Sequence, residues 1–520
     1  MNGRTVTLAG GVLVAGAAAL ALALWSSSGG QSGASSSAPT ATRSFPLSKP
    51  PRTIPSVRSA TPAHGPGWRP GPDGRVVVGD DGLADEGRLL AGELKLHYAG
   101  HTDARAGDVE LDLASGAGDG PESYTLRVRD GRVRIEGPAQ AGVFYGTRTL
   151  KQEVHAGGTA PEGEVRDGPA KPVRGFMLDI ARKPFTAGWL ENLVRELGDL
   201  KYNELGLHLS DDQGFRIESA THPEVVSRDH LSKAQVQRLV ALASARHISI
   251  VPEIDSPGHL GAVIGAHPEL QLHGAGGRAP AGTVDIANPA AGRIVDDLLK
   301  EYARLFPGSK WHLGGDEYVP LMSSDPGTAY PALAAAAKRR YGGKARVQDL
   351  TAGWLNDRYA TLHRAHRTAV RAWDDGFPAD GVVHLDKAIQ VAYWTGREPD
   401  ERDPVDFLKE GRRVINYNDE FLYYILGQLH HFPYPTGRRI YQDWSPLVVR
   451  GTEPVPAKYD RQVLGATFAV WCDDANAQTE DQVAAGIRMP LRALVQRLWD
   501  PGKPPLSWNE FMALGQRLGD

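Results

Sequence analysis

The stretch Lys310-Trp311-His312-Leu313-Gly314-Gly315-Asp316-Glu317-Tyr318 reads as a short buried strand that stops at two glycines and then presents two carboxylates. On a regular strand adjacent side chains point to opposite faces, so Asp316 and Glu317 could not both reach one cavity. Gly314 and Gly315 accept backbone angles that other residues avoid, which lets the strand end irregularly and turn both acids toward one pocket. A neighbouring pair of acids in a low-dielectric cleft titrates apart, one ionised and one protonated. That division suits glycoside hydrolysis, where a proton donor and an anion act on one sugar. The spacing alone also admits a strand end carrying two solvated acids.

This strand is one beat of a longer rhythm. From Pro172 onward, strands are expected at 174–180, 204–209, 249–254, 310–313, 368–373, 388–394, 413–417 and 464–471. Helical spacing falls between them at 189–202, 233–247 and 290–306. Regular alternation of this length predicts an α/β fold, a (β/α)8 TIM barrel with its active site at the C-terminal ends of the strands. A doubly wound open sheet is the alternative, but no glycine-rich dinucleotide fingerprint follows the first strand.

The strand ends carry polar and aromatic residues. Arg174 and Asp179 lie on strand one, His208 and Asp211 at the end of strand two, and Glu253, Asp255 and His259 at the end of strand three. Strands five, six and eight end in Trp373, Trp394 and Trp471, and Tyr423 lies just past strand seven. Four aromatic rings around one mouth would suit the apolar face of a sugar, with charged residues bonding its hydroxyls. Any one of these tryptophans could equally be a core residue. Two other classes stay open: a metal-dependent amidohydrolase with His208, His259, His312 and Asp316 as ligands, and an inactive carbohydrate-binding barrel. The first lacks the His-x-His pair expected after strand one.

Upstream, short alternating runs at 75–78, 108–113, 123–128 and 132–136 mix with helical spacing at 85–97 and 139–154. They predict a small α+β domain over 65–168, ahead of a catalytic barrel over 169–520. Residues 26–64 are rich in Ser, Gly, Thr and Pro and read as a disordered linker. Residues 6–25 form an apolar run behind Arg4, so 1–25 is expected to be a signal peptide or an N-terminal membrane anchor. The chain is therefore expected to be secreted, or tethered by that segment. No cysteine follows the run closely, which removes a lipoprotein anchor. Across 520 residues the net charge is −4, which leaves no basic footprint for nucleic acid. The single cysteine, Cys472, excludes an internal disulfide framework and any cysteine-based zinc site.

Four ordered motifs carry a resemblance. Arg174-Gly-Phe-Met-Leu-Asp-Ile, His208-Leu-Ser-Asp-Asp-Gln, Pro252-Glu-Ile-Asp-Ser-Pro-Gly-His259 and His312-Leu-Gly-Gly-Asp-Glu317 resemble the β-N-acetylhexosaminidases of glycoside hydrolase family 20. Glu122-Ser-Tyr-Thr-Leu and the run from Gly142 to Leu150 look like the small domain that precedes their barrel. Asn416-Tyr-Asn418 with Tyr423 and Arg371-Ala-Trp373 is most similar to the dispersin B-like branch; lacto-N-biosidases share the family. The resemblance implies substrate-assisted hydrolysis of terminal β-linked N-acetylglucosamine, with no metal and no cofactor. It implies Glu317 as general acid and base, Asp316 as the ionised partner of the acetamido N–H, and Tyr423 as donor to the acetamido oxygen. It also implies His259 with Asp211 as a relay to Glu317. Trp373, Trp394 and Trp471 would enclose the sugar, with Arg174 on its far hydroxyls. Two departures stand out. Asp473 occupies the place of the usual glutamate after Trp471, and Ile425 occupies a position two residues past the tyrosine where many members carry Asp.

Overall fold

The computed structural model describes residues 44–395 and 402–519, so the apolar run and most of the expected linker lie outside the described residues. The first seven strands make one sheet. They are β1 (Ser59–Pro62), β2 (Arg75–Val78), β3 (His97–Gly100), β4 (Val109–Leu113), β5 (Tyr124–Arg129), β6 (Arg132–Gly137) and β7 (Gly163–Asp167), in the order β1-β7-β5-β6-β4-β2-β3. The β1, β7, β5 and β6 pairings are antiparallel and the rest are parallel. Helices Ala84–Leu94 and Gln140–Gly157 pack on this sheet around Leu90, Ile135, Phe144 and Leu150.

Two expectations are corrected here. The first helix stops at Leu94 because Lys95 turns left-handed (φ 56°), and the chain re-enters the sheet as β3 instead of remaining helical to His97. The linker expected over 26–64 ends earlier, since Ser59–Pro62 pairs with β7 as β1. Ile54 is fully buried, and its N–H donates to Gln152 Oε1 at 2.7 Å. One apolar residue among prolines and polar residues gives composition no signal, and its partners lie about a hundred residues away.

The barrel follows. Its strands are β8 (Val173–Asp179), β9 (Glu204–His208), β10 (Ser249–Glu253), β11 (Lys310–His312), β12 (Ala369–Trp373), β13 (Gln390–Tyr393), β14 (Val414–Asn416) and, after the short β15 (Tyr423–Ile425), β16 (Val463–Trp471). Neighbours pair in parallel from β8 through β14, and β14–β16 and β16–β8 close the ring of eight. All seven residues of β8 are buried, as expected for a strand covered on both faces. Four of its helices start at the side-chain caps Thr186, Ser232 with Gln235, Asn288, and Thr479 with Gln482. Asn416 and Asn418 donate to Val448 and Gly451 carbonyls, so this pair anchors the long loop after β15.

The small domain and barrel share a core. Trp499, the last residue of the helix Glu480–Trp499, is fully buried in the small domain's apolar cluster and donates its indole N–H to Asp167 at 2.9 Å. Lys201 Nζ sits 4.5 Å from the Trp499 ring centroid. Arg174 belongs to this junction. It is the second residue of β8, at the N-terminal end, and is fully buried. It donates to Glu122 (2.8 and 3.0 Å) and to the Tyr145 hydroxyl (3.1 Å). The assignment of Arg174 to sugar hydroxyls is therefore corrected: strand polarity puts it at the opposite end of the barrel from the acid pair.

Candidate active site

The glycine pair works as the sequence suggests. Gly314 and Gly315 have φ of 69° and 104°, and Glu317 itself is left-handed at 46°. A Cβ on Gly314 would lie 1.7 Å from Asp255 Oδ1, whose other short contact is the Gly315 N–H at 2.8 Å. The strand end is thus pressed onto Asp255, and both acids turn toward His259. Its Nε2 lies 3.6 Å from Asp316 and 3.3 Å from Glu317. Asp316 is sheltered, its side chain 15 % exposed, whereas Glu317 is 48 % exposed. Among the described residues, the buried Oδ1 of Asp316 has no hydrogen-bond partner.

Behind His259 runs a chain of buried pairs. His259 Nδ1 is 3.3 Å from Asp211, which takes a 2.8 Å contact from His208 Nε2 on its other oxygen. His208 Nδ1 then meets Glu253 at 2.6 Å, and Glu253 also holds His312 (3.0 Å) and the indole N–H of Trp373 (2.9 Å). His208 and His312 therefore both serve Glu253, and do not join His259 and Asp316 in one donor set as the amidohydrolase reading required.

Burial, with Asp255 beside it, pushes the Asp316 carboxyl well above the ordinary range. The bond from His259, working against burial, holds Glu317 below it. Burial alone would lower His259, yet Asp316, Asp211 and Glu317 together raise it well above the usual histidine value. The two carboxyls are pushed apart, but in the free site Asp316 is the one raised and Glu317 the one lowered, opposite to the roles the resemblance implies.

The aromatic wall forms one apolar cluster. Trp394 stacks on Tyr423 at 5.7 Å with a 6° interplanar angle, and Trp471 lies 5.9 Å from both Tyr423 and Trp373. Trp373 is fully buried and forms the floor, while Trp394 and Trp471 are partly open. Burial and nearby Asp316 keep the Tyr423 hydroxyl protonated, well above its ordinary pKa.

Sequence reasoning missed three contributors. Arg182 donates to Asp179 (2.9 Å) and Asp211 (2.8 Å), with its guanidinium 5.6 Å from the Trp471 ring centroid. It lies three residues beyond β8, at the C-terminal end, so strand polarity was the available signal. The exposed Asp473 lies close enough to strengthen the charge on Arg182. Asp375 accepts the Glu317 N–H at 2.7 Å and the Trp394 indole N–H at 3.4 Å, tying the acid to the aromatic wall. Glu253 was placed at the end of strand three without a role, though it organises the floor.

Comparison with known proteins agrees with this geometry. The model of the glycosyl hydrolase family 20 catalytic domain matches residues 172–501, and that of the family's domain 2 matches 50–168. A lacto-N-biosidase of Bifidobacterium bifidum is 28 % identical over 480 residues, 90 % of this chain and 42 % of that protein. The chain thus spans less than half the length of that relative. A beta-N-acetylhexosaminidase of Cellulomonas fimi is 31 % identical over 82 % of this chain and 83 % of its own length. The solved family 20 β-N-acetylhexosaminidase of Streptomyces coelicolor A3(2) shares the fold, with a TM-score of 0.73, 24 % identity and coverage of 91 % of this chain and 96 % of that one. With both family domains matched in order and an acid pair, relay and aromatic wall at the barrel mouth, the chain belongs to glycosyl hydrolase family 20.

Proposed function

We propose that this chain is an exo-acting, retaining β-N-acetylhexosaminidase that removes terminal β-linked N-acetylglucosamine, with N-acetylgalactosamine as a second accepted sugar. The observation that carries the reading is the buried Oδ1 of Asp316, which among the described residues receives no N–H bond and lies next to Glu317 and near Tyr423. A buried acceptor without a donor is costly, and an acetamido N–H supplies the missing bond. That bond favours the ionised form of Asp316. The displaced proton has a short path, because His259 Nε2 faces both acids.

In the first step the substrate's acetamido oxygen attacks the anomeric carbon as the glycosidic bond breaks. Glu317 protonates the leaving oxygen, and a cyclic oxazolinium forms. Asp316 stabilises its positive charge, and Tyr423 donates to the attacking oxygen. Glu317 then takes a proton from water, which opens the ring at the same carbon and gives overall retention. Arg182, with Asp473, supplies donors and acceptor for sugar hydroxyls at the rim. The apolar run at 6–25 supports action outside the cell, either released or tethered.

One observation favours a second reading. Asp473 is a carbon shorter than the glutamate usual at that place, and the Bifidobacterium relative that aligns with 90 % of this chain is a lacto-N-biosidase. A shorter acid leaves room beyond the sugar's far hydroxyls, where a disaccharide-releasing enzyme must hold a second sugar. Aryl N-acetylglucosaminide and aryl lacto-N-bioside, assayed side by side, separate the two. Faster release of the monosaccharide supports the exo-hexosaminidase, and release of the disaccharide alone supports the biosidase. An aryl glucoside lacking the acetamide tests the mechanism, because equal turnover of both aryl glycosides contradicts acetamide participation.

A further inference from the structure

The tripeptide His-Pro-Glu occurs at His222-Pro223-Glu224 and again at His267-Pro268-Glu269, and the fold brings the two copies face to face. Each proline opens a one-turn 3-10 helix, Pro223–Val225 or Pro268–Leu270, with its histidine just ahead in nearly the same backbone conformation. The first turn lies in the loop after β9. The second follows the helix Gly261–Ala266, beyond β10, and that helix packs against the first turn.

His222 Nδ1 and His267 Nε2 converge on a single atom, each 2.9 Å from Glu224 Oε1. The outer nitrogen of each ring faces another carboxylate. His267 Nδ1 is 3.3 Å from Glu269, and His222 Nε2 is 3.9 Å from Asp297 on the helix Pro289–Leu305. Donor atoms of His222, His267 and Glu224 all lie within 4.8 Å of one another.

We propose that His222, Glu224 and His267 form a site for a divalent transition metal, best matched by zinc, that staples the loop after β9 to the segment after β10. Two imidazoles and one carboxylate are a common zinc donor set, and partial exposure leaves a position for water. The Glu269 carboxylate on the outer nitrogen of His267 fixes that ring's tautomer and raises the basicity of its inner nitrogen, the arrangement found behind metal-bound histidines, while Asp297 adds a longer-range negative charge near His222. Imidazoles that merely bond one glutamate need no such outer partners. Binding replaces the inner-nitrogen protons, which leave to solvent. The charged groups facing the rings are Glu224, Glu269 and Asp297, the last shared with Lys300 at 3.1 Å. The stapled segments also carry Asp211 and His259, so the metal would stiffen the support of the acid pair while taking no part in hydrolysis. The inference stands whether or not the proposed activity does.

The test uses the full chain, stripped with chelator and titrated with zinc chloride alone. Binding is read by calorimetry and thermal melting, in the unaltered protein and in His267→Ala, Glu224→Gln and His259→Ala. The last variant is needed because Asp211, Asp212 and His259, and also Asp255, His259 and Asp316, gather three donors each. The expected result is one zinc per chain that raises the melting temperature. Affinity should fall at least tenfold in His267→Ala and Glu224→Gln, and hold in His259→Ala. Absence of binding, unchanged binding in both of the first two variants, or loss confined to His259→Ala overturns the proposal. Circular dichroism of each metal-free variant verifies folding, and His222→Gln serves if His267→Ala fails that control.

Discussion

Two arginines on the same βα unit should behave in opposite ways when changed to methionine. Arg182 neutralises two buried carboxylates, Asp179 at 2.9 Å and Asp211 at 2.8 Å. Neither is stranded by Arg182→Met. Asp179 keeps the N–H groups of residues 181, 182 and 472 at 2.9 to 3.0 Å, and Asp211 keeps His208, His259 and the Asp212 N–H. The stability loss should therefore sit at the lower end for a broken buried pair, about 3 kcal/mol. At roughly 2 °C per kcal/mol for a large domain, the melting temperature falls about 6 °C. If the guanidinium also bonds sugar hydroxyls, kcat/KM of the folded protein drops a further 10- to 100-fold or so, the worth of a hydrogen bond to a charged group. Arg174→Met removes a still more deeply buried cation from Glu122, Tyr145 and the Trp499 ring. It should lower stability by about 4 kcal/mol and leave kcat/KM of the folded fraction within about twofold. Thermal melts and aryl-glycoside kinetics at a temperature where both variants are folded decide the matter. Normal kinetics for Arg182→Met together with crippled kinetics for Arg174→Met would refute the placement of the two arginines.

Other outcomes follow from the same geometry. Glu317→Gln should lower turnover about 10²- to 10⁴-fold with an unchanged melting temperature, read by aryl-glycoside kinetics and differential scanning calorimetry. Gly314→Ala must find room for a Cβ 1.7 Å from Asp255 at φ 69°, so kcat/KM should fall at least about tenfold and melting should come earlier. Glu153 is buried beside the Arg52 N–H, and burial lifts its carboxyl to about 7 against an ordinary value of 4.5. A folded-state pKa raised in this way gives stability that is present below about pH 4.5 and is lost as pH rises through about 7, roughly 3 kcal/mol in all. Guanidinium denaturation at pH 5 and pH 8 should show that loss in the wild type and not in Glu153→Gln.

How far the sequence could be read depended on whether its cues were local. The eight barrel strands were legible because a strand buried on both faces is an apolar run, visible residue by residue at 174–180 and 464–471. The acid pair was legible because two glycines before two carboxylates leave few other backbone paths, and the structure turns both acids onto His259. Where the deciding partner lay far along the chain, reading failed. Ile54 and β1 looked like linker because their partners, Gln152 and β7, come some hundred residues later. Arg174 seemed to serve the site because a motif gives no depth along a strand, whereas its partner Glu122 belongs to the other domain. The upward push on the Asp316 carboxyl was also illegible, since it arises from burial and from Asp255 folding against it.

The burial of Trp499 in the small domain bears on how the chain is made. A ribosome delivers residues 59–167 first, and many such leading domains mature while the remainder is still being translated. Here the indole that donates to Asp167 emerges 332 residues after it. Until then the nascent small domain has a gap where that ring belongs, with Lys201 and Arg174 arriving before the aromatic face that covers them. Both halves consequently reach their final packing only once Trp499 has been made.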